Sequence, residues 1–374
     1  MRSGNFFLVL FLLASPGTTA AQSVGTFPSA DSMLQDAKHK EPKSGVQIGP
    51  GNTISIQSGV GTPTTINVLS FGKGGALLAA GKDFGRVVVW DVANRSFLCA
   101  IDTGQGIVHA VAISPDGQVL ATAGEGDGLS LKLWHLPDGK LLETYRSFEN
   151  YITALAFGPT GSWLVIWENG VGTRVLDVTT GKSLLKLEET YAPVLSPDGS
   201  ILMAVNKTEF IFWNTANWTQ QRTLPRVPDI AIPLALDPKA DSFVVTSSWT
   251  FQLVRLSTGE LLRNAPAQPL PKLNGAAGGF AAFDTSVSDL LFGHSDGRLW
   301  AWDSRTGQTC VSDVMFSESG SLSPDGSVLA GAKDNSILAQ GESPNGVEIW
   351  DTRRLAEKCG FGSPGSTETA SPSP

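Results

Sequence analysis

Cysteine and histidine are scarce in these 374 residues, with three Cys and four His. That leaves few thiolate or imidazole ligands for a transition-metal site. Basic charge is also short: 27 Lys and Arg stand against 35 Asp and Glu, for a net charge of −8. A phosphate backbone is met by a basic surface, so no nucleic-acid partner is expected. Beyond the N-terminal segment, no stretch reaches the roughly 18 consecutive apolar residues of a membrane helix, so no span is expected in the mature chain. The motifs GxxxxGK[ST], HExxH and CxxC, an EF-hand loop, a strand-linked GxGxxG and a GxSxG elbow are all missing. GKS at 181–183 sits in a hairpin turn. His39, His109, His135 and His294 are scattered over different elements, so none reads as a catalytic base. The Asp-Gly pairs are turn devices without the alternating carboxylates of a calcium loop. No metal, no cofactor and no catalytic residue are expected.

What is present is apolar and rich in turns. Hydrophobic residues make up 41% of the chain, enough for a sizeable core, and Gly (41) and Pro (22) supply many turns. Arg2, the apolar run FFLVLFLLA at 6–14 and the small residues at 19–21 form the three-part pattern of a secretion signal, with cleavage near Ala21. The mature protein is therefore expected to be secreted or periplasmic. Residues 22–51 read as a flexible linker, 52–361 as one dense domain, and 362–374 as a disordered Ser/Pro/Thr tail. Cys99, Cys310 and Cys359 then lie in an oxidising compartment, where at most one pair forms. They are read as half-buried structural residues on strands, and their pairing is left open.

The dense region repeats. SPDG occurs at 114–117, 196–199 and 323–326, with degenerate copies from Gly158 and Asp237. Pro sets φ at the second turn position and Asp-Gly tolerates positive φ, so each copy joins two antiparallel strands tightly. A second series runs in step: Trp90-Asp91, Trp134-His135, Leu176-Asp177, Trp213-Asn214, Arg255-Leu256, Trp302-Asp303 and Trp350-Asp351. Its members are 37 to 48 residues apart. Alternating strands precede these pairs, as in RVVVWD at 86–91, and a fourth strand follows each. Four strands per unit of this length make a propeller blade, whose two apolar faces are buried only by neighbouring blades. The expected fold is all-β, a seven-bladed β-propeller of four-stranded antiparallel blades. The strand at 53–57 is the candidate for closing the ring against the last blade, with 355–359 as its rival. The recurrent tryptophans read as core, whereas Trp163, Trp167, Trp218, Trp249 and Trp300 fall off that register.

On these turns, Trp-Asp ends and this period, the chain resembles the WD-repeat β-propeller family over about residues 68–361. Bacterial propellers of the YVTN type share the SPDG turn and are the nearest competitor. The resemblance implies a structural Asp between the second and third strands, a place matched by Asp83, Asp127 and Asp296. The family's Gly-His dipeptide before the first strand is absent, so its His–Ser/Thr–Asp–Trp hydrogen-bonded set reads as incomplete. The resemblance implies a non-catalytic protein–protein interaction scaffold with unidentified protein partners. The alternatives are an extracytoplasmic propeller enzyme, lactonase-like or quinone-dependent, with its site in the central channel, and a structural envelope role.

The binding surface is expected where loops between blades and loops between second and third strands share one face. Its candidate residues are Phe84, Tyr151, Tyr191, Trp249 and Phe251, with Pro269, Lys272, Asn335 and Glu342 in the two longest loops, 264–273 and 333–346.

Overall fold

In the computed structural model, the residues described are 46–48, 54–57 and 65–359, except 93, 95, 127, 227–231, 238, 240, 248–249, 265–280, 285–286, 296–297, 305, 316–318, 325 and 333–345. The fold is all-β, a propeller of four-stranded antiparallel blades. Six four-stranded sheets follow one another along the chain, and each keeps its strands in sequence order. Blade 1 runs from Ile66–Gly72 to Ser96–Asp102, and blade 2 from Val108–Ile113 to Leu141–Tyr145. Blade 3 runs from Ile152–Phe157 to Ser183–Glu188, and blade 4 from Tyr191–Leu195 to Thr219–Pro225. Blade 5 runs from Ile232–Asp237 to Leu261–Asn264, and blade 6 from Ala281–Asp284 to Thr309–Met315.

Burial falls from the inside of a blade outward. Second strands such as Leu77–Lys82 and Trp163–Glu168 are buried along their whole length, because both faces meet a neighbouring blade. Fourth strands such as Ser183–Glu188 are largely exposed. The core is therefore a series of interfaces. Val68, Leu77, Val87 and Val89 of blade 1 pack on Val108, Ile113 and Leu120 of blade 2, and equivalent clusters join later blades. Each fully buried Val, Leu or Phe contributes about 1.5–3 kcal/mol, so apolar burial dominates blade-to-blade adhesion. The approach is close: a Cβ on Gly72 would stand 2.3 Å from the Cβ of Ile113.

The SPDG turns show why those residues recur. The Ser114 hydroxyl donates to Asp116 Oδ1 and accepts the Val119 amide at 2.9 Å, while Gly117 takes a φ of 75°. Ser196, Asp198 and Gly199 repeat the arrangement. Serine and aspartate thus satisfy backbone groups that the tight turn leaves over, and glycine takes the left-handed position. The Ser114 hydrogen bond, helped by the Gln118 amide, holds the Asp116 carboxyl below its usual range.

The two ends of the chain meet in one five-stranded sheet. Gly320–Leu322, Val328–Ala332 and Gly346–Asp351 come from the C-terminal end, and Ile54–Gln57 and Val46–Ile48 from the N-terminal end. Ile54 pairs with Ile349 and Gln57 with Gly346. Of the two closing segments expected from sequence, the N-terminal one occupies the fourth-strand place. Its rival does not: Thr352–Lys358 is a helix, capped where Asp351 Oδ1 accepts the Arg354 amide at 3.1 Å. Val46–Ile48 is a further strand on this sheet, although sequence alone assigned it to the linker. Ala330, Ala332, Val347 and Ile349 pack on Ile66, Leu69, Leu78 and Trp90 of blade 1. The Ser319 hydroxyl donates to the Asn67 carbonyl at 2.7 Å across the same joint.

The cysteines also depart from expectation. Cys99 and Cys310 lie on fourth strands, but Cys359 follows the helix and is bonded to Cys310. Cys99 is free, and burial followed by the Asp138 charge pushes its thiol up to about 11. That makes it a poor nucleophile.

Candidate interaction face

The turns between second and third strands and the links between blades leave from the same ends of the strands. On this face the turn of blade 1 is Asp83-Phe84-Gly85. Asp83 accepts hydrogen bonds from the Thr65 amide at 3.1 Å and Asn67 Nδ2 at 2.9 Å. Gly85 has a φ of 75°, and a Cβ there would lie 2.9 Å from the Gln105 amide nitrogen. The turn is therefore pinned on both sides. Between them Phe84 is held at a φ of 60° with 77% of its surface exposed. A bulky residue in the left-handed region is strained, and an apolar ring held in water adds to the cost. Neither feature serves the packing of the blade. Nearby, burial and then the Arg86 charge lower the Lys82 ammonium to about 8.

The other aromatic candidates are more engaged. Tyr151 is half-buried, with its ring 5.4 Å from that of His109, whose Nε2 is 3.0 Å from Glu125 Oε1. Tyr191 is half-buried and donates to the Asn206 carbonyl at 3.0 Å, with the Arg226 guanidinium over its ring and bonded to its hydroxyl. Burial pushes the Tyr191 hydroxyl up. Phe251 does not reach this face. It is 4% exposed and packs with Ala235, Val244, Leu253 and Trp302, because strand alternation turns it toward the blade 5–blade 6 interface. Trp249, Pro269, Lys272, Asn335 and Glu342 lie outside the described residues, as do Asp127 and Asp296. In blade 3 the face also holds an ion pair of buried Glu168 with half-buried Arg174 at 2.9 Å, and the Arg174 guanidinium lies over Phe148 in the link from blade 2. Among the described residues, no three His, Cys, Asp or Glu side chains gather as metal ligands, and no helix is long and apolar enough to cross a membrane.

The repeat residues occupy structural places. Trp90, Trp134, Trp302 and Trp350 are buried, and Trp213 is half-buried. Asp91 and Asp303 close the turn to the fourth strand by accepting the amides of Asn94 at 2.8 Å and Thr306 at 3.1 Å. In blade 2 the indole of Trp134 donates to the Thr122 hydroxyl at 2.9 Å, and that hydroxyl donates to Gln105 Oε1 at 2.6 Å. Gln105 Nε2 donates in turn to the Ser130 carbonyl at 2.6 Å. Gln105, after Gly104, therefore does what the family's histidine would do, and the set read as incomplete from sequence is linked here from Gln105 to Trp134. The sequence hides this link because glutamine stands where the resemblance calls for histidine. A glutamine amide offers the same donor and acceptor.

The place of Thr122 is two residues beyond Leu120, the partner of Trp134. In blades 1, 4 and 6 and in the five-stranded sheet, the same place beside the tryptophan falls on Ala80, Ala204, Gly293 and Gly331. None of these carries a hydroxyl. The Trp213 and Trp302 indole nitrogens are accordingly buried without a partner.

One comparison with known proteins falls on the same unit. The family described as WD domain, G-beta repeat matches residues 98–135. Periodic tryptophan protein 2 homolog of Dictyostelium discoideum is 27% identical over 194 residues, 49% of this chain and 21% of that protein. Small ribosomal subunit protein RACK1y of Oryza sativa subsp. japonica is 33% identical over 128 residues, 32% of this chain and 37% of that protein. WD repeat and SOCS box-containing protein 1 of Homo sapiens is 30% identical over 95 residues, 25% of this chain and 22% of that protein. The chain thus spans between a fifth and two fifths of these relatives' own lengths. The crystal structure of the Myceliophteria thermophila Cps50 (Swd1) β-propeller domain superposes with a TM-score of 0.59 at 17% identity, covering 80% of this chain and 99% of that one. That likeness concerns the fold alone. Sheets and turns define the class, a β-propeller, and the sequence is similar to WD-repeat proteins over part of its length.

Proposed function

We propose that this chain is a non-catalytic, extracytoplasmic scaffold for protein–protein interaction, built as a seven-bladed ring in which the five-stranded sheet serves as the last blade. Phe84 carries the reading. A strained, exposed aromatic on a turn pinned by Asp83 and Gly85 is a rigid anchor for a partner, and aromatic anchors dominate protein interfaces. The rice relative is named as a ribosomal subunit protein, a component of an assembly, and the same kind of role is proposed here. The extracytoplasmic location rests on the signal pattern of residues 1–21 and on the Cys310–Cys359 bond, since structural disulfides persist in oxidising compartments.

The test uses Phe84→Asn, because Asn tolerates the left-handed conformation while removing the ring. The tagged chain and the variant are used to capture proteins from the native extracytoplasmic fraction. Proteins retained by the chain and lost from a variant that melts no lower are the expected result. Equal retention by the folded variant would move the interface elsewhere. N-terminal sequencing of the purified native protein checks the location, with Gln22 expected near its start.

A further inference from the structure

We propose that the Cys310–Cys359 disulfide is a redox latch on the ring, holding a helical strap across the joint between blade 6 and the five-stranded sheet. The strap is Thr352–Lys358, which begins where the last WD-type pair, Trp350-Asp351, ends. Its first turn is fixed to the five-stranded sheet at three points. Asp351 caps it, the Thr352 hydroxyl donates to the Gly326 carbonyl at 2.7 Å, and the Thr352 amide donates to the Ser327 carbonyl at 3.1 Å. Leu355 and Ala356 are buried beneath it. Its far end is fixed to a different sheet: Cys359 is bonded to Cys310, on the fourth strand of blade 6, with Cα atoms 5.5 Å apart.

The position of this bond gives it consequence. Shared apolar clusters join blades 1 to 2, 2 to 3, 3 to 4, 4 to 5 and 5 to 6, and the five-stranded sheet to blade 1. The disulfide spans the joint from blade 6 to the five-stranded sheet. It also encloses the third strand of the last sheet, Gly346–Asp351, on which the N-terminal strand Ile54–Gln57 is paired. A cross-link closing a loop of 49 residues restricts the opened chain strongly. Both cysteines are half-buried rather than sealed, so a small dithiol reaches them.

A dithiol reductant breaks the S–S bond by thiolate exchange. It supplies two electrons and two protons, becomes a disulfide itself, and leaves Cys310 and Cys359 as thiols. The latched and released forms then differ in the freedom of the strap and of the strand that leads into it.

The experiment uses the full chain, purified without reductant. Thiol titration under denaturing conditions is expected to give one reactive thiol, that of Cys99, and three after reduction; three at the outset would overturn the proposal. Hydrogen exchange is then compared between the oxidised and dithiothreitol-treated chains. Amides of Thr352–Lys358 and Gly346–Asp351 are expected to exchange about tenfold faster or more on reduction, while Val119–Gly124 of blade 2 is unchanged. Equal protection of the strap in both forms would overturn the latch. The Cys310→Ser/Cys359→Ser double variant should match the reduced chain; should it fail to fold, reduction of the intact chain still decides. No partner is involved in any readout, so the outcome is independent of the scaffold reading.

Discussion

At the scale of single residues, stability at the tryptophan position depends on whether its indole has a partner. In blade 2 the chain Trp134–Thr122–Gln105–Ser130 satisfies every member it links. Gln105→Ala is expected to cost about 2–3 kcal/mol, because the Thr122 hydroxyl and the Ser130 carbonyl lose buried partners. Thr122→Val should cost a similar amount, and the double variant well under the sum, since both break one network. Denaturant melts of the three variants check this; strict additivity would show that the contacts are independent. The Ser114–Asp116 pair gives a pH-dependent counterpart. Asp116 is depressed in the folded state, so its contribution is present above its unfolded value of 3.8 and is lost as pH falls through the lower folded value. Ser114→Ala should raise the Asp116 pKa toward 3.8, as read by NMR titration of its carboxyl carbon. The part of the stability loss owed to this carboxylate should be full at neutral pH and fade below 3.8. An unmoved titration would mean that the hydroxyl does not hold the carboxylate.

At the scale of elements, what was legible in the sequence was whatever backbone geometry demands of particular residue types. The SPDG turns need a left-handed glycine and a side-chain acceptor, so they recur and can be counted. Blade limits followed from them. The closing strand at Ile54–Gln57 was also legible, because apolar and polar residues alternate over 53–57 ahead of the first full unit. Other features were hidden because they depend on what comes together in space. The 49-residue spacing of Cys310 and Cys359 does not reveal that a helix brings them to 5.5 Å. By sequence Phe251 falls at the turn between second and third strands and so reads as a surface residue, whereas alternation along Thr250–Arg255 sends its ring inward. Val46–Ile48 is only three residues long and became a strand through its partner, Ile54–Gln57. Close approach between blades was hidden too, since it appears only as an ordinary glycine. Gly72→Ala tests it: a methyl 2.3 Å from the Ile113 Cβ must push blades 1 and 2 apart, for an expected loss of about 1–3 kcal/mol in a chemical melt. A neutral result would mean that the interface gives way without strain.

At the scale of the whole molecule, the question is what keeps a chain of stacked sheets from having ends. A blade left without a neighbour exposes an apolar face, and a last strand left without a partner exposes an edge that invites association. Both hazards converge on Gly346–Asp351. Its Val347 and Ile349 side chains are buried against blade 1, and its outer edge is covered by Ile54–Gln57. Removing residues 46–57 therefore strips the covering strand without touching the apolar contact itself. The shortened chain is expected to melt several degrees lower and to self-associate with rising concentration, as read by calorimetry and sedimentation, because the uncovered edge pairs with other copies. The remaining links at that sheet would be its contact with blade 1 and the strap with its disulfide, so adding a dithiol reductant should lower the melting point of the shortened chain further than that of the full chain. If the shortened chain melts like the full one and stays monomeric, the N-terminal strand is an accessory to a ring already held shut by blade 1 and the strap.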